Sequence, residues 1–235
     1  MSATLKRPFP LPLPASTSRA DAIRDNDWAA FRQLSELHDH WTLKAWSPGQ
    51  SGYYWYLTFD DAELVDLVSR CQAALVDDGI DPVPTDGLHL TVLGFGKTSE
   101  VSDDQLSEVV AAARETLSDQ AAFDLEIGPL TGSRSAIRFS VAPWDPLLNL
   151  HGRLRDAVAT TRPANMPPQT TEFRPHLGIG YVNRQQCAAP LISSVAALRG
   201  LPPVTARVDR VSLVELRREG RAYRWNDQAE IPLGG

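Results

Sequence analysis

Apolar and polar positions in this chain recur with two periods, and the switches between them divide it into short strands and amphipathic helices. Tyr53–Phe59 has the aromatic and β-branched character of a strand. Asp60 and Asp61 open a predicted helix with an apolar stripe of Leu64, Leu67, Val68, Cys71 and Leu75, ended by Gly79 and Pro82. Leu88–Phe95 is strand-like, and Ser102 caps a predicted helix running to about Leu117. Phe123–Leu130 and Ala136–Ala142 predict a strand pair around Thr131, Gly132 and Ser133. A third helix is expected over Trp144–Ala159, a strand over Phe173–Val182 and a helix over Gln185–Leu198. Val204–Leu216 and Arg221–Leu233 predict a closing hairpin turned at Glu219 and Gly220. Ahead of all this, residues 1–18 are proline-rich. A helix capped at Ser18 or Asp21 is expected to run to about His40, with Ile23, Trp28, Phe31, Leu34 and Leu37 near helical spacing. Trp41, Trp46, Pro48 and Gly49 mark a loop.

The order strand, helix, histidine-led strand occurs over 53–95 and again over 136–182. This predicts an α+β fold of two lobes related by a pseudo-twofold, each giving one central strand to the cleft between them. Residues 1–50 read as an N-terminal extension, a proline-rich tail plus a helix, and 51–235 as the bilobal domain.

Composition narrows the function. The 235 residues suffice for one large domain or two closely packed lobes with a sizeable core, and 43% apolar and 22% charged residues are ordinary for a globular chain. A net charge of −6 argues against gripping long nucleic acid by charge alone, since that needs many Lys and Arg on phosphates. A small phosphate held by a few local groups stays open. Cys71 and Cys187 lie in separate helix-like stretches and read as reduced thiols. The lack of a CxxC or Cys/His cluster gives no metal signal. Prolines interrupt the N-terminus before a signal-peptide apolar run forms, and no stretch approaches the ~18 apolar residues of a membrane span. A cytoplasmic protein, monomeric and with no membrane partner, is expected.

Two segments carry the chemistry: His89-Leu90-Thr91-Val92 and His176-Leu177-Gly178-Ile179. Alternation along a strand puts His89, Thr91 and Leu93 on one face. It likewise puts His176, Gly178 and Gly180 on one face, with Leu177, Ile179 and Tyr181 behind. Two histidines offered to one cleft suit acid–base work near neutral pH.

With these two segments the chain resembles the 2H phosphoesterase superfamily, which includes 2′-5′ RNA ligase-like proteins and cyclic nucleotide phosphodiesterases. That family carries two motifs of histidine, apolar, Ser or Thr, apolar. His89–Val92 fits fully; His176–Ile179 fits except at Gly178. The resemblance implies a bilobal fold with two antiparallel sheets around a central cleft and helices outside. It implies metal-independent opening of a 2′,3′-cyclic phosphate, on a small nucleotide or an RNA end, with no cofactor. His89 and His176 become the acid–base pair, with a lean to His89 as acid, and Thr91 the hydroxyl steadying a phosphate oxygen. Gly178 removes the second such hydroxyl, which affects either rate or substrate. Alternatives are 2′-5′ RNA ligation, a phosphoesterase with a changed small-molecule substrate, and a non-catalytic nucleotide- or RNA-binding module.

Other residues keep two readings. Arg174 clamps phosphate or makes a surface ion pair. Tyr54 and Tyr56 stack a base or pack the core, and Tyr181 reads as core. His38, His40 and His151 read as surface or structural. Arg217, Arg218, Arg221 and Arg224 form a solvated edge or a landing strip for RNA phosphates.

Overall fold

A computed structural model describes residues 12–76, 78–165 and 167–234. The proline-rich tail thus lies outside the described residues up to position 11. The helices are α1 (Ala20–Phe31), α2 (His40–Leu43), α3 (Ala62–Ala74), α4 (Asp103–Thr116), α5 (Asp145–Thr161) and α6 (Ala188–Leu198). The strands begin with β1 (Glu36–Leu37), β2 (Ser51–Thr58), β3 (Ile80–Pro82), β4 (His89–Lys97), β5 (Phe123–Gly132) and β6 (Ala136–Ala142). They continue with β7 (His176–Val182), β8 (Gln186–Cys187), β9 (Val204–Val208), β10 (Arg210–Glu219) and β11 (Ala222–Pro232).

Local chemistry explains most element starts. The Asp61 carboxylate accepts from the backbone N–H groups of Glu63 and Leu64 to cap α3. Ser102 and Gln105 form a reciprocal capping box on α4, and Pro146 sits in the first turn of α5. Pro175 and the turn at Thr170–Glu172 delay β7, so the strand expected from Phe173 starts at His176.

Two sheets form the lobes. One runs β11-β10-β2-β4, the other β3-β7-β6-β5-β9, and their pairings among the described residues are antiparallel. The expected fold class, α+β with antiparallel sheets, holds. A continuous apolar core joins the lobes, with Trp55, Phe139 and Trp144 almost fully buried in it.

Three expectations about elements need correction. The helix expected to reach His40 stops at Phe31. Glu36 and Leu37 pair instead with Cys187 and Gln186, and the Asp39 carboxylate caps α2 as a separate turn. The same pairing holds Gln186 and Cys187 extended, so α6 begins at Ala188 rather than Gln185. Val204–Leu216 is two strands: β9 pairs with β5 in one lobe and β10 with β2 in the other, so the chain crosses lobes at Asp209.

Helix α1 lies across β5 and β6. Its Phe31 packs so closely that a Cβ on Gly132 would sit 2.3 Å from the ring, which is why glycine occupies that strand end. Its Asp27 reaches a buried pair of partners, Arg138 Nη2 at 2.9 Å and the Ser140 hydroxyl at 2.6 Å. By register Arg138 stands opposite Gly178, and Ser140 opposite His176.

Candidate active site

Both histidine strands carry a bulge three residues after the histidine. In β4, Tyr56 pairs with Thr91 and Trp55 with Leu93, which leaves Val92 extra. In β7, Arg138 pairs with Gly178 and Ile137 with Gly180, which leaves Ile179 extra. A bulge reverses the face that later residues occupy. Leu93 therefore turns into the core, 3% exposed, and does not share the face of His89. Gly180 likewise leaves the face of His176, and Tyr181, expected behind it, turns into the cleft. A plain alternation cannot foresee either change.

Between the sheets lies a cavity of about 260 Å³, lined by His89, Thr91, His176, Gly178, Tyr54 and Tyr56. The two histidines are thus brought to one site. Each ring is fixed in the same way: His89 Nδ1 is 2.9 Å from the Gly87 carbonyl and His176 Nδ1 2.8 Å from the Arg174 carbonyl. A carbonyl only accepts, so Nδ1 carries the proton and Nε2 of the neutral ring carries a lone pair. His89 also stacks on Tyr56, with centroids 4.3 Å apart and planes 12° apart, and meets the Trp225 edge at 5.2 Å.

Electrostatics separates the two rings. Burial pushes His89 below its ordinary value, opposed by the Gly87 carbonyl. Burial first and the Arg138 cation second push His176 down to about 4, opposed by the Arg174 carbonyl and Asp27. Burial raises the Tyr56 phenol well above its usual range. Tyr56 is 1% exposed and serves as the wall behind His89, while Tyr54 stays half-buried at the cavity and stacks with Trp46 at 18°. At Gly178 an added Cβ would meet nothing within 4 Å, so open space stands where a side chain is absent.

Arg174 is not among the cavity-lining residues. Its Nη1 donates to the carbonyls of Thr171 and Phe173, at 2.7 and 2.9 Å, and its own carbonyl anchors His176. The hairpin arginines are engaged at the surface: Arg217 with Glu219, Arg221 with Asp81 and Arg224 with Asp86. His151 is buried and structural, stacked on Phe173.

Sequence reasoning missed the contribution of residues before 51. His40, Lys44 and Trp46 line the cavity, as do Ser133, Ser135 and Tyr223. His40 is buried, its Nε2 3.0 Å from the Tyr223 hydroxyl and its ring 4.2 Å from Tyr181. Burial, with Lys44 and Arg218 nearby, lowers it to about 4. The Asp39 cap was a usable signal for α2; nothing in the local pattern shows that α2 faces the cleft.

A family model described as the 2′-5′ RNA ligase superfamily matches residues 60–220. The chain belongs to the 2′-5′ RNA ligase superfamily. This superfamily, the 2H phosphoesterases, comprises enzymes of phosphoryl transfer. No curated protein matches the chain. Among solved structures, E. coli LigT with 3′-AMP is similar at a TM-score of 0.60 and 18% identity, over 79% of this chain and 99% of that one. The protein TT0787 of Thermus thermophilus gives 0.59 and 19%, over 79% and 98%. A crystallised phosphoesterase gives 0.61 and 18%, over 79% and 99%. At these identities the likeness concerns the fold. E. coli LigT has also been crystallised with ATP, NADP+ and phosphate. Among the described residues of this superfamily member, no three His, Cys, Asp or Glu gather as a metal-ligand group, and no helix is long and apolar enough to cross a membrane.

Proposed function

We propose that this chain is a cyclic phosphodiesterase that opens a 2′,3′-cyclic phosphate by two-histidine acid–base catalysis. The observation that carries this reading is the matched pair of imidazoles, each held at Nδ1 by a carbonyl two residues upstream and each bordering one cavity. Water attacks phosphorus while His176 Nε2 takes its proton; the bond from phosphorus to a ribose oxygen breaks as His89 Nε2–H protonates that oxygen. A phosphomonoester and a free hydroxyl result. His176 suits the base because the Arg138 cation disfavours its protonated form. His89 suits the acid because burial, and not an arginine as at His176, is what lowers it, and a bound phosphate anion stabilises its imidazolium. Both proton transfers are met by these side chains, so the step needs no metal. Thr91 donates to a nonbridging oxygen as charge builds there. Arg174 contributes through its backbone carbonyl, and Tyr54 offers a face to a base. E. coli LigT bound to 3′-AMP is in keeping with a nucleotide in such a cleft.

The test is phosphorus NMR of adenosine 2′,3′-cyclic phosphate with wild type, His89→Ala and His176→Ala. Each variant is expected to lose about 10²–10⁴-fold in kcat with its melting temperature preserved, the usual weight of a positioned acid or base. Wild-type rates in both folded variants would overturn the assignment.

A further inference from the structure

The segment ahead of β2 forms a strap that closes one wall of the cleft and is fastened to both lobes. Trp41 Nε1 donates to Asp81 at 2.8 Å, and His40 packs on Tyr181; both partners belong to the β3-β7 sheet. On the other lobe, Arg218 donates to the Trp41 carbonyl at 2.9 Å with its guanidinium 4.8 Å from the indole centroid, and Tyr223 meets His40. Lys44 ends α2, with its backbone N–H held by the His40 carbonyl at 2.8 Å, so its stem starts from a fixed point. Its side chain is exposed, lines the cavity, and has no carboxylate partner among the described residues. Among the described residues no Asp or Glu lines this cavity, in a chain of net charge −6. Such a wall favours an anion. Beside Lys44, Trp46 and Tyr54 present near-parallel rings, a platform for a planar base. Lys44 and Trp46 precede the matched residues 60–220, so this wall is an addition to the part of the chain that the family model describes.

We propose that the strap makes the cleft a two-phosphate site, in which Lys44 binds a second phosphate of a nucleotide whose base lies on Trp46 and Tyr54 and whose other phosphate lies between His89 and His176. The identity of that other phosphate rests on the function proposed above. A lysine is a compact point charge that binds phosphate without demanding one geometry. The second phosphate is either a terminal 5′-phosphate or the internal diester of a short oligonucleotide end.

The test compares kcat/KM for three compounds: adenosine 2′,3′-cyclic phosphate, its 5′-phosphorylated form, and a dinucleotide ended by a 2′,3′-cyclic phosphate. Wild type is expected to prefer one of the latter two by about tenfold or more, through KM, and which one identifies the source. Lys44→Ala should bring that ratio to near one, and Lys44→Arg should keep it. A second arm needs no turnover: calorimetry of 2′-AMP and adenosine 2′,5′-bisphosphate with wild type and Lys44→Ala. If no cyclic phosphate is hydrolysed but the bisphosphate binds about tenfold tighter in a Lys44-dependent way, the strap proposal stands and the hydrolase reading falls. Turnover with equal kcat/KM on all three compounds, or a preference unchanged in Lys44→Ala, overturns the strap proposal and leaves the hydrolase reading intact.

Discussion

His89 and His176 each donate Nδ1–H to a carbonyl of their own strand approach, so neither ring can flip without breaking that bond. Their protonation then sets the pH response. With His176 as the proposed base, the neutral ring is the working form, so kcat/KM should rise as pH climbs through about 4. With His89 as the proposed acid, the protonated ring is the working form, so kcat/KM should fall as pH rises through a value below the ordinary ~6.5. A bell with its maximum on the acid side of pH 6.5 is expected for kcat/KM, with the alkaline limb of kcat displaced upward by bound phosphate. A kcat/KM that keeps climbing to pH 8 counts against these roles. Gly178 supplies a second residue-scale prediction. Because nothing stands within 4 Å of its missing Cβ, Gly178→Ser should fit at little cost in stability. If its hydroxyl reaches the phosphate, turnover should rise about tenfold, the lower bound for a hydrogen bond to a charged group worth ~1.5–3 kcal/mol. Steady-state rates and a melting curve check both halves. At this scale the site was partly legible: strand alternation holds from His89 to Thr91 and from His176 to Gly178, the stretch before each bulge.

Beyond that stretch the elements decide. Val92 and Ile179 are the extra residues of two ladder registers, and a register depends on the partner strands β2 and β6, not on local periodicity. Tyr181 reached the cleft and Leu93 the core for this reason. The break of the first helix at Phe31 has a similar origin, because Glu36–Leu37 finds a strand partner at Gln186–Cys187, far along the chain. Helix α1 in turn anchors the sheet under His176 through Asp27. Both side chains of the Asp27–Arg138 pair are at most 4% exposed. Asp27→Ala leaves a buried guanidinium without its carboxylate, and about 3–5 kcal/mol of unfolding free energy should be lost. Urea denaturation measures it. The same change removes a carboxylate that favours protonated His176, so the acid limb of kcat/KM should move to lower pH. A stability loss under ~1 kcal/mol would mean that solvent reaches this pair.

For the whole molecule, burial of three histidines from different elements gives a common acid response. His40, His151 and His176 are each lowered to about 4, while in the unfolded chain they titrate near ~6.5. Between these values the unfolded chain binds more protons than the folded one, so the penalty is absent above about pH 6.5 and grows as pH falls. The urea midpoint should therefore drop from pH 7.5 to pH 5, before most carboxylates titrate, and His151→Gln, remote from the cleft, should reduce that drop. An unchanged midpoint over this range would show that these rings are solvated. The amino-acid sequence by itself determined the two histidine motifs, the α3, α4 and α5 helices and the two-lobed α+β order, because periodicity, caps and turn residues act over a few positions. Only the tertiary structure decided the bulges, the crossing of lobes at Asp209 and the strap that carries His40 and Lys44 to the cleft. Each of those depends on strand registers and packing partners drawn from distant parts of the chain, which no local pattern encodes.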